Sequence, residues 1–213
     1  MAYFAMLYAQ RLGADAINAS WGFTLDTNTV RTACPEIFGG LSIKNYKNLV
    51  EMFERGARRL DLGQTLLVAA AANCVLDAAS VYHWPAGIDN RNVIMVSNVS
   101  SGGDLLGMYG DRVNIFAVGE SQNVLAPGNT TGKCQGTSVA APYVTGAIGL
   151  ILAKPAGKPN PLGRDKAGLV IRQLQCNATK FASAPPAMPG TTRPLLNVEA
   201  AVKDFAGECV SIE

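Results

Sequence analysis

The sequence predicts an α/β protein in which an open, mostly parallel sheet is flanked by helices. Short apolar runs of strand length alternate along the chain with longer segments that have helical spacing. The run at residues 66–71 is apolar throughout, which is typical of a strand covered on both faces in a parallel sheet. The chain has 213 residues, of which 48% are hydrophobic, so it can bury the core of one globular domain. We therefore expect residues 1–213 to form a single domain.

The first part of the chain is predicted to contain two helices separated by a strand and a long loop. Residues 2–11 predict a helix that ends at Gly13, because glycine is favoured just past the end of a helix. The apolar residues 15–21 predict a strand. Residues 22–45 contain a proline and paired glycines and predict a loop. Residues 46–60 have apolar side chains at helical spacing and predict the second helix.

The rest of the chain continues the alternation of strands and helices. Residues 66–71, 93–96 and 113–117 are short apolar runs, and each predicts a strand of the parallel sheet. Residues 139–152 are rich in alanine and glycine and predict a helix that packs closely against its neighbours. A further helix is expected over residues 166–175.

Composition and charge exclude several classes of function. The formal net charge of +2 is too small for a protein that binds nucleic acid by neutralising phosphates, so we expect no nucleic-acid partner. No apolar run approaches the roughly 18 residues of a membrane-spanning helix, so we expect no membrane partner either. Five cysteines without a CxxC pair, together with one histidine, disfavour a Cys/His zinc site.

The segment GTSVAAPYVTG, residues 136–146, contains the strongest candidate for chemistry. The segment predicts a glycine turn that leads into a helix. Pro142 is expected in the first helical turn, where a missing N–H is tolerated. A serine at such a position commonly caps the helix. The alternative is that Ser138 is a nucleophile, helped by the unpaired N–H groups and the positive dipole at the helix start. Composition alone does not choose between these two interpretations.

The segment GTSVAAP resembles the nucleophile motif of the subtilisin-like serine proteases, the subtilases, and further segments resemble the family in the same order. Residues 17–22 are similar to its substrate-binding strand, and residues 68–73 are similar to the strand that ends in its oxyanion-hole asparagine. Residues 84–86 and 195–201 resemble a later loop and the closing motif. The resemblance covers nearly the whole chain and implies a three-layer subtilisin-like fold.

The resemblance also implies a role for individual residues. Ser138 corresponds to the nucleophile of a serine endopeptidase, and Asn73 to the oxyanion-hole residue that stabilises the tetrahedral intermediate together with the Ser138 backbone N–H. The expected reaction is peptide-bond hydrolysis through an acyl-enzyme, with a polypeptide as substrate. The implied substrate-binding residues are Ser20, Trp21, Gly22, Ala71, Ala72 and His83, with His83 near the floor of the specificity pocket.

The chain departs from the family pattern in lacking its D-[ST]-G and H-G-T motifs. The single histidine, His83, follows Asn73 and is not expected to be the catalytic base. We therefore expect the C-terminal part of a subtilase domain, with its N-terminal strands missing and residues 15–21 as an exposed edge strand. Such a chain is expected to be inactive unless a segment carrying the aspartate and histidine joins it in trans. The alternative is a catalytically silent pseudoprotease or truncated remnant that acts as a binding module.

Four smaller expectations complete the sequence analysis. No cofactor is assigned, although the family resemblance allows calcium. The resemblance favours a secreted or vacuolar parent protein. Cys74 is expected to be a buried structural thiol. Asparagine begins an N-x-[ST] sequon at Asn18, Asn98, Asn129 and Asn177; that of Asn18 lies in a predicted buried strand, and the other three matter only in a secreted protein.

Overall fold

The fold is described from a computed structural model, which covers residues 2–25, 32, 34, 43–153, 165–181 and 193–203. The helices are α1 (Ala2–Arg11), α2 (Ile43–Leu62), α3 (Thr137–Leu152), α4 (Lys166–Cys176) and α5 (Val198–Lys203), and the strands are β1 (Ala16–Ala19), β2 (Phe23–Thr24), β3 (Leu66–Ala70), β4 (His83–Trp84), β5 (Val93–Val99), β6 (Ile115–Val118), β7 (Gln122–Ala126), β8 (Thr130–Cys134), β9 (Thr179–Phe181) and β10 (Arg193–Leu195).

The main sheet is mostly parallel, as the sequence predicts. Its strand order in the described chain is β1-β3-β5-β6-β10-β9, and every neighbouring pair is parallel except β10 with β9. Two small antiparallel pairs lie outside this sheet, β2 with β4 and β7 with β8. Parallel strands meet with their carboxyl ends at one edge, so the residues that follow β1 and β3 come together there.

Helices cover both faces of the sheet, which gives three layers. Side chains alternate along β3: Leu67 and Ala69 pack with α1 and α2, whereas Leu66, Val68 and Ala70 pack with α3, α4 and α5. All five are buried. A strand that is apolar on both faces therefore forms the centre of the core, which is the reason that its sequence shows no polar alternation.

Most predicted elements are confirmed, with shifts at their ends. Helix α1 has the predicted bounds, and Gly13 adopts a left-handed φ of +82° just past its end. The segment predicted as a loop from 22 to 45 contains β2 and the start of α2, while most of its remainder lies outside the described residues. Strand β6 begins at Ile115, two residues later than predicted. Within the described ranges, no helix has the length and apolar character needed to cross a bilayer.

Candidate functional site

The candidate site is built around the start of helix α3, where Gly136 leads into Thr137 and Ser138. Gly136 has a φ of +128°, a conformation that strongly favours glycine. A Cβ atom at this position would lie 2.9 Å from Oδ1 of Asn73, closer than real Cβ atoms come. The glycine of the GTS motif therefore allows the helix start to approach the end of β3.

Thr137 fixes the orientation of the Asn73 side chain. The backbone N–H of Thr137 donates to Asn73 Oδ1 at 2.7 Å, and the Thr137 hydroxyl lies 2.8 Å from the same oxygen. That hydroxyl also lies 2.6 Å from the carbonyl oxygen of Ala71 and donates its single proton to one acceptor at a time. With Oδ1 held in this way, Nδ2 is left as a free donor, and no residue in the described ranges accepts from it. Asn73 is exposed, so this donor is open to a ligand.

Ser138 is held from the other side by Ser20, the residue that follows β1. In a regular helix the carbonyl of Ser138 would accept from the N–H of residue 142, four positions later. Residue 142 is proline and has no N–H. The Ser20 hydroxyl supplies the missing donor, at 2.8 Å from the Ser138 oxygen. The expectation that Pro142 lies in the first helical turn is wrong, because the helix begins at Thr137 and places the proline in its second turn.

A second layer of hydrogen bonds orients Ser20. Asn18 Nδ2 donates to the Ser20 hydroxyl oxygen at 2.8 Å. The Thr145 hydroxyl, which has one proton to donate, lies 3.2 Å from Asn18 Oδ1 and 3.1 Å from the Ala141 carbonyl oxygen. The predicted burial of Asn18 is wrong: the residue does lie in β1, but its side chain is exposed at the edge of the sheet. These contacts link Thr145 of α3 to Asn18 of β1, and through Ser20 to Ser138 at the start of α3. They therefore connect two elements that are distant in sequence.

His83 lies in the interior behind Gly22 and cannot serve as a base for Ser138 in this arrangement. Its side chain is buried, with Nδ1 at 2.8 Å from the Thr24 hydroxyl and Nε2 at 3.2 Å from the Ala70 oxygen. A carbonyl only accepts hydrogen bonds, so Nε2 carries the proton and Nδ1 accepts from Thr24. Burial lowers the pKa of His83 from 6.5 to about 4, against a smaller opposite effect of the Ala70 hydrogen bond. The imidazole is therefore neutral at pH 7 and has both nitrogens engaged.

Most of the predicted substrate-binding residues lie just past the ends of β1 and β3, which are parallel neighbours in the sheet. Ala71 and Ala72 are buried at the end of β3, whereas Trp21 is partly exposed and its ring packs against Phe53 with centroids 5.5 Å apart. A Cβ atom at Gly22 would lie 2.4 Å from Nε2 of His83. The imidazole thus fills the space between Gly22 and the end of β3.

Cys74 is buried, as expected, but the expectation that it is a thiol is wrong. Cys74, which directly follows Asn73, forms a disulfide with Cys34, and both residues are buried. Cys176 is also disulfide-bonded, and Cys134 is the free cysteine of the described chain. The spacing of the cysteines contained no signal for this pairing, because Cys34 and Cys74 are 40 residues apart in sequence and only the fold brings them together.

Sequence reasoning missed the contributions of Thr137 and Pro142 to the geometry of the site. Both lie within the quoted motif, so their position was known, but their hydrogen-bonding roles depend on the three-dimensional neighbours of the helix start. The described residues contain no group of three or more His, Cys, Asp or Glu side chains that could hold a metal ion.

Known proteins with similar sequences are subtilisin-like proteases. Subtilisin amylosacchariticus of Bacillus subtilis subsp. amylosacchariticus is 32% identical over 103 residues, which are 47% of this chain and 27% of that protein. Subtilisin-like serine protease Pen ch 13 of Penicillium rubens is 32% identical over 130 residues, 61% of this chain and 30% of that protein. The matched part is thus under a third of either relative.

Solved structures of proteases share the fold over nearly the whole chain. The prenylagaramide maturation protease PagA superposes with a TM-score of 0.69 at 23% identity, over 97% of this chain and 67% of that one. A lanthipeptide protease superposes with a TM-score of 0.72 at 18% identity, over 95% of this chain and 65% of that one. The family model described as the subtilase family matches residues 3–190. This match extends over most of the sequence, and the chain therefore belongs to the subtilase family of serine endopeptidases.

Proposed function

We propose that this chain supplies the nucleophile, the oxyanion hole and the substrate cleft of a serine endopeptidase site. The observation that carries the proposal is the pair of Thr137 contacts that orient the Asn73 amide next to the start of α3. A preoriented donor beside a serine in the first turn of a helix is the arrangement that stabilises negative charge developing on a substrate oxygen. Helix capping accounts for Asn73 Oδ1, which accepts from the first N–H of α3, but it gives no reason for a free Nδ2 donor beside Ser138.

In the proposed reaction Ser138 Oγ attacks the carbonyl carbon of a peptide bond. The hydroxyl proton passes to a base and then to the leaving amine, and the resulting acyl-enzyme is hydrolysed by water. The oxyanion accepts hydrogen bonds from Asn73 Nδ2 and from the backbone N–H of Ser138. Because Ser20 and Thr137 already hold both residues, little reorganisation is needed when the charge develops.

The catalytic base in this proposal comes from outside the described residues. His83 is the single histidine of the sequence, and both of its ring nitrogens are engaged by Thr24 and Ala70. A serine hydroxyl without a base is a weak nucleophile. In subtilisin, a member of this family, loss of the catalytic histidine costs about 10⁶ in turnover, a value that sets the scale for this chain.

A segment that carries the aspartate and histidine has a matching surface on this chain. Within the described ranges β1 pairs only with β3, which leaves its other edge open for a strand. Phe4 and Tyr8 on α1 and Leu12 just past its end are 72%, 64% and 70% exposed, at a spacing of four residues. About a third of the PagA chain lies outside the part that this chain matches. We propose that it pairs with β1 and covers the exposed side chains of α1.

The proposed substrate cleft has a shallow specificity pocket. Backbone groups of residues 20–22 and of Ala71 and Ala72 line the two walls, and an extended peptide binds between them. The His83 ring occupies the depth of the space between Gly22 and Ala70. A substrate side chain placed there meets the imidazole, so residues with short side chains are expected to be preferred.

The proposal is tested by complementation. A polypeptide carrying the D-[ST]-G and H-G-T motifs of a subtilisin-like relative is mixed with the full chain or joined to its N-terminus, and hydrolysis of an internally quenched peptide is measured. We expect turnover that Ser138→Ala abolishes and that Asn73→Leu lowers by about 10²–10³-fold, a scale known from subtilisin. Ser101→Ala, a change at an exposed serine that contacts Glu120, is the control and leaves turnover unchanged.

The alternative function is a catalytically silent peptide-binding module. This alternative is favoured by the contacts of His83, the single histidine, because both of its ring nitrogens are engaged and neither is available to Ser138. In that case the complemented chain still binds peptide between residues 20–22 and Ala71, measured by fluorescence anisotropy, but Ser138→Ala changes neither binding nor turnover. Turnover that depends on Ser138 contradicts the hypothesis of a silent binding module. If no complemented form shows turnover, the hypothesis of a serine endopeptidase is contradicted.

A further inference from the structure

The structure distinguishes between the four N-x-[ST] sequons. Asn98 is 1% exposed, inside the sheet. Asn177 is partly buried and donates through Nδ2 to the Gln173 oxygen at 2.9 Å. Asn18 donates through Nδ2 to Ser20, the hydroxyl residue of its own sequon, and Ser20 in turn donates to Ser138. A bulky group on any of these three amides breaks a contact of the fold or of the candidate site.

The fourth sequon, at Asn129, occupies an open hairpin turn. Asn129 lies between β7 and β8, whose last paired residues are Ala126 and Thr130. It has a φ of 56° and an exposed side chain, and Thr131, the hydroxyl residue of the sequon, is exposed as well. At the neighbouring Gly128 a Cβ atom would meet no other atom within 4 Å. The turn therefore has free space around it on the surface.

The disulfides supply an independent observation about the environment in which the chain folds. Cys34 and Cys74 are joined within the core, and Cys176 is also disulfide-bonded. Buried structural disulfides form in oxidising compartments such as the endoplasmic reticulum, and in eukaryotes N-linked oligosaccharides are attached to sequons in that same compartment. A chain that forms these disulfides there is exposed to the glycosylation machinery.

We propose that Asn129 is the acceptor of an N-linked oligosaccharide. The donor is an oligosaccharide linked to a polyprenyl pyrophosphate, and the transfer is catalysed by a membrane-bound oligosaccharyltransferase. The Nδ2 atom of Asn129 forms a bond to C1 of the sugar, the bond from C1 to the pyrophosphate oxygen breaks, and the amide loses one proton. The lipid pyrophosphate leaves, and no oxidant or reductant takes part.

The attachment point is compatible with the candidate site. Tyr143 of α3 donates to Gln122 Oε1 at 2.6 Å, so the base of the hairpin is fixed to the helix that begins at Thr137. Asn129 is at the opposite end of the hairpin, four residues past Leu125, whose side chain is 89% exposed. A glycan there covers the exposed tip without replacing a contact of Ser138 or Asn73.

The test is production of the full chain with a removable secretion leader in a eukaryotic host. Total culture and secreted fractions are both digested with peptide N-glycosidase, and the peptides are mapped by mass spectrometry. Analysing both fractions means that protein retained inside the cells is also examined for glycosylation. We expect a mobility shift on digestion and conversion of Asn129 to aspartate, with Asn98 unmodified. Asn129→Gln and Thr131→Ala abolish the shift.

The matched control is Thr130→Ala, which keeps the sequon Asn129-x-Thr131 intact and therefore keeps the shift. An unmodified Asn129 in the wild-type chain, or a shift that persists in both Asn129→Gln and Thr131→Ala, overturns the proposal. Because the readout is mass and not hydrolysis, the outcome does not depend on whether Ser138 is a nucleophile.

Discussion

The hydrogen bond between Ser20 and Ser138 exists because Pro142 has no N–H, and this dependence can be measured. Ser20→Ala leaves the half-buried carbonyl of Ser138 without a donor, which costs about 1 kcal/mol of unfolding free energy. Pro142→Ala restores an N–H four residues after Ser138, within reach of the same carbonyl. In that background the Ser20→Ala change keeps only the small cost of losing the contact with the exposed Asn18 amide. The coupling energy between the two substitutions is therefore about 1 kcal/mol, whatever the effect of Pro142→Ala by itself.

The assay is urea-induced unfolding of the full chain followed by far-ultraviolet circular dichroism, with the wild type, both single variants and the double variant measured together. Ser101→Ala serves as an exposed serine control and is expected to change the unfolding free energy by less than about 0.5 kcal/mol. An equal cost of Ser20→Ala in the proline and alanine backgrounds refutes the reasoning, because the serine would then stabilise the chain by a route independent of the missing N–H.

Three further predictions concern the surroundings of the site. Cys34→Ala with Cys74→Ala removes a crosslink across a sequence separation of 40 residues and lowers the unfolding free energy by about 2–4 kcal/mol in urea titrations, whereas Cys134→Ala at the free cysteine has little effect. His83 has a pKa of about 4 when folded and 6.5 as its ordinary value, so the unfolded chain binds its proton first as the pH falls. Stability is therefore lost between pH 6.5 and 4, by about 3 kcal/mol more than in His83→Gln, and parallel pH slopes of unfolding free energy would contradict this assignment. Thr137→Val lowers kcat of the complemented enzyme and leaves KM nearly unchanged, since the hydroxyl orients the oxyanion donor; a change confined to KM contradicts that role.

The central strands and the first helix were predictable because burial determines their sequences. Helix α1 ends at a glycine, and β3 and β5 are apolar runs that are buried on both faces. The two-residue strands β2 and β4 could not be predicted, because their pairing joins residues about 60 positions apart and leaves no local pattern. The β7–β8 hairpin was missed for a different reason: most of its residues are exposed, so no apolar alternation marks it.

For the candidate site, the sequence predicted the residue types but not the contacts that hold them. Ser138 and Asn73 were predicted from a resemblance to a family motif, and the end of β3 lies against the start of α3 in the fold. Substrate binding by Ser20 stays a prediction, and nothing in the sequence indicated that its hydroxyl donates to the Ser138 carbonyl. A hydrogen bond over a sequence separation of 118 residues depends on the register of a whole sheet, which no local pattern specifies.

Three contacts hold the proposed nucleophile and oxyanion donor from within the described residues. Thr137 orients Asn73, Ser20 binds the Ser138 carbonyl, and the Cys34–Cys74 disulfide fixes the residue that follows Asn73. None of them involves a base or a second segment. It follows that a complementing segment changes the rate by supplying the base, and that it leaves the geometry of the oxyanion hole as it is. A peptide that ends in a free carboxylate forms no covalent bond with Ser138 and needs no base, so it should bind the oxyanion donors of the uncomplemented chain measurably, and Asn73→Leu should weaken that binding.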